Sequence, residues 1–214
     1  MLKSPEGSSF RVTDTKKENN LIVHVMDQVP VSSTGKFEAI VDVARRGDSA
    51  RNHSATHLLH EALREVLGTH VEQKGSLVKP RSLRFDFAHF QKVTDEELAR
   101  VETLVQSRIL ENLACTEHRD MALADAQKAG AMMLFGEKYG ETVRMIEFGS
   151  SKELCGGIHV PATGAIGPFR IESESAVAAG IRRIEARTGS AAMEAQQDER
   201  QQLGAIKAML KGCL

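Results

Sequence analysis

Two distant segments of the chain carry side chains that could share one ion. His53, His57 and His60 lie in the run RNHSATHLLHEALREVL at 51–67, and Cys155 and His159 lie in LCGGIHV at 154–160. Spacings of four and three place the three imidazoles on one face of a helix. A polar face on an otherwise apolar helix needs a partner, because imidazole nitrogens lose water when buried. A metal ion suits the pattern, since side chains four apart on a helix can reach the same ion. Cys155 and His159 are also four apart, across Gly156 and Gly157, whose missing Cβ permits a tight turn. Two such pairs make a set of soft and borderline donors suited to zinc. On spacing alone, His60 could replace His53 as the partner of His57. The helical HxxxH of metalloproteases carries Glu directly after the first His as general base. Here that position is Ser54, and protease chemistry is excluded.

These donors need elements to position them. Asp48 and Ser49 read as capping residues for the histidine helix, and Gly68 as its stop. Ala55, Leu58, Leu59, Ala62, Val66 and Leu67 supply its apolar surface. Before it, residues 9–13, 20–26 and 37–43 read as strands, with KKENN and PVSSTG as turns. His24 is expected to be a half-exposed strand histidine. After it come strands at 71–79 and 83–87, and LRFDF in the second alternates strictly. Thr94 with Glu97 forms a capping-box pattern for a helix through Leu113, with Leu98, Val101, Leu104, Val105 and Ile109 on its buried stripe. A shorter helix at 121–129 is expected to end at Gly130. Further strands are expected at 142–148, 169–172 and 181–185. From Ser190 the pattern turns helical, with Leu203, Ile206 and Leu210 on one stripe able to meet a second copy or another part of the protein. The expected fold is α+β, a curved antiparallel sheet with helices packed on one face.

The chain has 214 residues, is 41% hydrophobic and 27% charged, and carries a formal net charge of −1. There is no global pull toward nucleic acid, so any such binding must be local, and no DNA partner is expected. No apolar run reaches membrane-spanning length. Three scattered cysteines make no disulfide framework, and a reduced cytoplasmic setting fits. Cys115 reads as a buried inert thiol and Cys213 as a tail thiol. His70, His89 and His118 read as structural or solvated histidines. With 4% aromatics and no Trp, a base-stacking platform for single strands is not expected.

The runs RNHSATHLLHEALREVLGTHVEQKGSLVKP, LRFDFAH, GAMMLFGEKYGETVRMIEFGSSKELCGGIHV and GIRRIEARTG closely resemble the editing domain of the alanyl-tRNA synthetase family. The resemblance covers residues 48–189. Residues 1–47 resemble the end of the small β-barrel subdomain before that domain, and residues 190–214 the start of a helical segment leading to a C-terminal domain. The chain is therefore expected to be a fragment of a larger enzyme whose ligase site lies elsewhere. The resemblance implies hydrolysis of the ester that joins a wrong serine or glycine to the acceptor end of alanine tRNA. Such a site is needed, because one methyl group is worth only about 1–3 kcal/mol of discrimination in a synthetic pocket. By resemblance, His53, His57, Cys155 and His159 are zinc ligands, Gln73 is a catalytic, substrate-binding pocket residue, and Ser76 lines the same pocket. The family usually has Thr where this chain has Ile158. Both are β-branched, so the turn should survive without its hydroxyl. Two roles for zinc stay open, lowering the pKa of a nucleophilic water or positioning the aminoacyl end.

Contact with tRNA must use local cations. Arg45, Arg46 and Arg51 precede the histidine helix, Lys74, Lys79, Arg81 and Arg84 flank the next strands, and Arg182, Arg183 and Arg187 follow the Cys155 segment. Of these, Arg51, Lys74, Arg81, Arg84, Arg182 and Arg183 are the main candidates for phosphate contact. Free-standing alanyl-tRNA editing proteins and the threonyl-tRNA synthetase editing domain share the HxxxH and Cys…His logic. CGGIH and VEQKGSLV favour the alanyl family. A non-catalytic, zinc-stabilised interaction module is the alternative of a different class.

Overall fold

In the computed structural model, the described residues are 1–19, 21–32, 34–133 and 138–211. They divide into two compact units, Met1–Arg46 and Gly47–Leu214. The first unit holds β1 (Leu2–Lys3), β2 (Ser9–Phe10), β3 (Val12–Glu18), β4 (Leu21–Met26) and β5 (Glu38–Ala39). β2, β1 and β5 form one antiparallel sheet, β3 and β4 a separate hairpin, and no closed barrel forms among the described residues. Lys16, Lys17 and Glu18, read from sequence as a turn, instead pair with Val23, Ile22 and Leu21. The reversal waits until Asn19, which takes a left-handed φ of 46°, a conformation Asn tolerates better than most residues. His24 is exposed, with its Nδ1 3.2 Å from the Thr15 hydroxyl.

The histidine helix, α1 (Val43–Leu67), starts earlier than its expected cap. The Asp42 carboxylate accepts a hydrogen bond from the Arg45 amide at 3.0 Å, the geometry of a capping side chain. Of the run expected as strand at 37–43 only Glu38–Ala39 is strand, and Asp42 starts the helix. Glycine closes it as expected, Gly68 adopting a φ of 115°.

β6 (Gln73–Val78), β7 (Leu83–Ala88) and α2 (Asp95–Leu110) come next. The Thr94–Glu97 capping box is formed in both directions. Asn112, at a φ of 52°, lies beyond the early end of α2. The segment expected as a helix at 121–129 divides. β8 (Thr116–Ala122) takes its first two residues into a ladder, Met121 opposite Val143 and Ala122 opposite Thr142. Only α3 (Leu123–Lys128) stays helical, so strand pairing overrides local propensity. β9 (Thr142–Phe148), β10 (Ser151–Leu154), β11 (Phe169–Ala178), β12 (Ile181–Thr188) and α4 (Gly189–Lys211) complete the fold.

The architecture is α+β with antiparallel sheets. A four-stranded sheet runs in the order β11-β12-β7-β6, and a three-stranded sheet in the order β10-β9-β8. The alternation of β7 works as its sequence demands. Leu83, Phe85 and Phe87 join Ile184 and Ala186 of β12 in the main core, with Leu58, Leu59 and Leu63 of α1 and Val101, Val105 and Ile109 of α2. Each fully buried large side chain contributes about 1.5–3 kcal/mol. On the same strand Asp86 is buried, but Arg183 donates to both its carboxylate oxygens at 2.7 and 2.8 Å. Asn52, wholly buried, ties α1 to the sheet. Its amide donates to the Lys79 and Pro80 carbonyls at 2.8 and 3.0 Å, and its oxygen accepts from the Thr188 hydroxyl at 2.8 Å.

β9 is buried on both faces. Ile146 and Phe148 enter the main core, while Val143 and Met145 join Leu154 and Ala126 in a smaller cluster with α3. Leu203, Ile206 and Leu210 of α4 are exposed, and Cys213 lies outside the described residues. Among the described residues no helix is long and apolar enough to cross a membrane.

Candidate metal centre

α1 and the turn after β10 bring His53, His57, Cys155 and His159 together, with one donor atom from each lying within 4.8 Å of the others. Cys155 Sγ is 3.4 Å from His53 Nε2 and 3.3 Å from His159 Nε2. Zinc–nitrogen and zinc–sulfur bonds of about 2.0–2.3 Å in a tetrahedron set donor separations of about 3.3–3.8 Å, so the two contacts match such a site. Burial pushes His159 down to about 3, assisted by the charges of His53 and Arg144. Burial, then the neighbouring histidines, holds His57 well below the usual imidazole range, and burial also lowers His53. All three imidazoles are thus neutral near pH 7, the form in which histidine ligates. His57 Nδ1 is buried with no hydrogen-bond partner among the described residues. Such an orphan costs free energy unless something fills its lone pair, and the cluster fits a metal ion on that ground as well as on donor chemistry.

The ring orientations have identifiable supports. Ser54 Oγ is 3.1 Å from His159 Nδ1 and accepts from the Val160 amide at 3.1 Å. The Ile158 carbonyl accepts a hydrogen bond from His53, and the Ile158 side chain packs on the main core. Arg144 donates through one nitrogen to the Cys155 and Gly157 carbonyls at 2.7 and 2.8 Å, holding the turn from inside. Arg144 is itself held by Glu117, and hydrogen bonds from Arg119 and Arg144 keep that carboxyl down to about 2. Neither Gly156 nor Gly157 has a left-handed φ. Gly157 matters for space, because a Cβ there would sit 2.0 Å from His53 Cε1, whereas one on Gly156 would touch nothing.

His60, the alternative donor, is not in the cluster. Its Nδ1 is 2.9 Å from Glu153 Oε1, and the other oxygen of Glu153 is 3.5 Å from His57 Nε2. The ladder explains why. Glu153 pairs with Ile146 across β9 and β10, and Ile146 faces the main core, so period-two alternation aims Glu153 at α1.

Gln73 begins β6 half-buried, in register with Phe87, and Ser76 is exposed, in register with Phe85. β6 is one of the two edge strands of its sheet. The six candidate phosphate contacts each face an acid: Arg51 with Asp48 at 2.7 Å, Lys74 with Glu72 at 2.9 Å, Arg81 with Glu194, Arg84 with Asp86 at 3.7 Å, Arg182 with Glu174 at 2.5 Å and Arg183 with Asp86.

Sequence reading passed over Glu153, Arg144 and the supporting role of Ser54. Glu153 left a signal, an acid two positions before Cys155 on a strand whose alternate residue, Leu154, is apolar. Arg144 left none, since its role comes from strand pairing.

Residues 143–185, which include Cys155 and His159, match the family model described as "Threonyl and Alanyl tRNA synthetase second additional domain". The chain is 59% identical over 198 residues to an alanine–tRNA ligase of Parabacteroides distasonis, covering 91% of this chain and 23% of the relative. It is 58% identical over 183 residues to the ligase of Porphyromonas gingivalis, covering 86% and 21%. It is 56% identical over 204 residues to that of Bacteroides fragilis, covering 95% and 23%. The chain thus spans about a quarter of the length of the curated relatives it matches.

Proposed function

We propose, from the premise that this chain is homologous to a segment of the alanine–tRNA ligases, that it is a zinc-dependent editing site that hydrolyses the ester of alanine tRNA mischarged with serine or glycine. The observation that carries the reading is the four-donor cluster of His53, His57, Cys155 and His159, assembled from segments about a hundred residues apart in a chain of that kinship. Residues 48–189 form the editing domain in this reading, within an enzyme of the cytoplasm whose ligase chemistry lies in other segments.

Bound at the four donors, zinc supplies Lewis acidity and a fixed positive charge for the aminoacyl end or a water beside it. The protein's own groups do the rest. Ser54, through His159, and the Ile158 carbonyl, through His53, orient two donors. Arg144 fixes the turn that carries Cys155. Gln73 and Ser76, on the edge strand β6, receive the substrate; the Gln73 amide can both donate and accept, which suits the amine and hydroxyl of a seryl ester. Serine offers a hydroxyl that alanine lacks, so a site that hydrogen-bonds it spares the correct product.

A second reading has its own support. Four protein donors normally close a structural zinc site, whereas catalytic sites keep a position open. Deacylation of seryl-, glycyl- and alanyl-tRNA(Ala), with zinc quantified and Cys155→Ala in parallel, separates the two. Clearance of seryl or glycyl ester that spares alanyl ester and is lost with Cys155 is the expected result. Zinc uptake without clearance, persisting in the full-length ligase, would establish the structural reading instead.

A further inference from the structure

We propose that Glu153 is a positioning residue for the metal ligand His57, and that His60 is the anchor that holds Glu153. Glu153 is nine-tenths buried and stands between two histidines of α1. One carboxylate oxygen is 2.9 Å from His60 Nδ1, and the other is 3.5 Å from His57 Nε2. In its ionised form a carboxylate accepts hydrogen bonds and cannot donate. Hydrogen-bonded to it, His60 places its proton on Nδ1, and the carboxylate oxygen 3.5 Å from His57 Nε2 favours the His57 proton on that nitrogen by its charge. In a neutral imidazole that choice leaves the opposite nitrogen with its lone pair. For His57 the opposite nitrogen is Nδ1, which is buried with no hydrogen-bond partner among the described residues, as is Nε2 of His60. Glu153 thereby selects the tautomer that presents a lone pair to the cluster and fixes the ring's rotation.

The arrangement also gives His60 a role other than ligation. Two of the three helix histidines are donors, and the third steadies the carboxylate from the opposite side. His60 is 2% exposed, and its ring lies 5.2 Å from that of Phe85, so it cannot swing to solvent without opening the core. Removing it would leave Glu153 buried beside one histidine only. Carboxylates placed behind a ligating imidazole typically change metal affinity 10–100-fold when removed.

This role for Glu153 rests on the metal reading of the cluster. The tautomer of His57 is read in the metal-free wild-type chain by long-range 1H–15N correlation. Affinity for Zn2+ alone is then measured by competition with a chromogenic chelator, in wild type, Glu153→Leu and Glu153→Gln. A single His57 tautomer protonated on Nε2 is expected. Glu153→Leu should lose that fixed tautomer and bind Zn2+ about 10–100-fold more weakly. Glu153→Gln keeps one acceptor oxygen and replaces the other with an NH2 donor, so its affinity should fall between those of Glu153→Leu and wild type. A wild-type His57 protonated on Nδ1 overturns the proposal, as does Glu153→Leu binding Zn2+ like wild type. The tautomer needs no variant, so it decides even if Glu153→Leu fails to fold. A wild-type chain that takes up no Zn2+ overturns the metal reading, and the tautomer still decides the role of Glu153.

Discussion

His53 and Gly157 divide one small volume between them. A Cβ on residue 157 would lie 2.0 Å from His53 Cε1 and 2.4 Å from Nδ1, so Gly157→Ala must displace a proposed ligand. Zinc affinity in a chelator competition should fall about 10–100-fold, as when a ligand's support is disturbed. Gly156→Ala is the matched control, since its Cβ meets nothing, and its affinity should equal wild type. Of the two glycines in CGGIH, one is therefore required, and for a reason that spacing does not show. Spacing suggested a turn needing conformational freedom, whereas the requirement at Gly157 is the approach of a ring from another segment. Steric demands of that kind are invisible until two distant stretches meet. The same holds for His60, which spacing could not separate from His53. Only the direction of Glu153, set by the β9–β10 register, tells the two apart.

At the scale of elements, α1 is fixed lengthwise by Asn52. Its three hydrogen bonds reach the β6–β7 connection and the end of β12. Asn52→Ala strands the Lys79 and Pro80 carbonyls, and a loss of about 3 kcal/mol in urea denaturation is expected. A loss below the cost of one unsatisfied group would mean that water replaces the side chain there. Elements with strong periodicity were readable in advance. β7 alternates, and α2 has both its capping box and its stripe. Reading failed where strand pairing intervened, residues 121–122 joining β9, and where a local cap did, Asp42 starting α1 from inside a run that looks like strand. Single-sequence patterns report the faces an element buries, but not which neighbour competes for its backbone.

At the scale of the whole molecule, a formal charge of −1 and acidic partners on each candidate cation mean that phosphate must displace carboxylate. If Arg81 and Arg84 contact the tRNA backbone, neutralising both should flatten the slope of log affinity against log salt by about 1.4–1.8. An unchanged slope would remove them from the interface. His53 and Cys155 are 102 positions apart. An ion gripped by both, and kept by the unfolded polymer, is a reversible staple that closes a ring of that size. A permanent cross-link over about a hundred residues removes about 5 kcal/mol of disorder from the denatured ensemble. The ion would thus act on the topology of the unstructured chain as well as on the finished site. It would make α1 and the CGGIH turn neighbours in space while the strands between them are still searching for their partners.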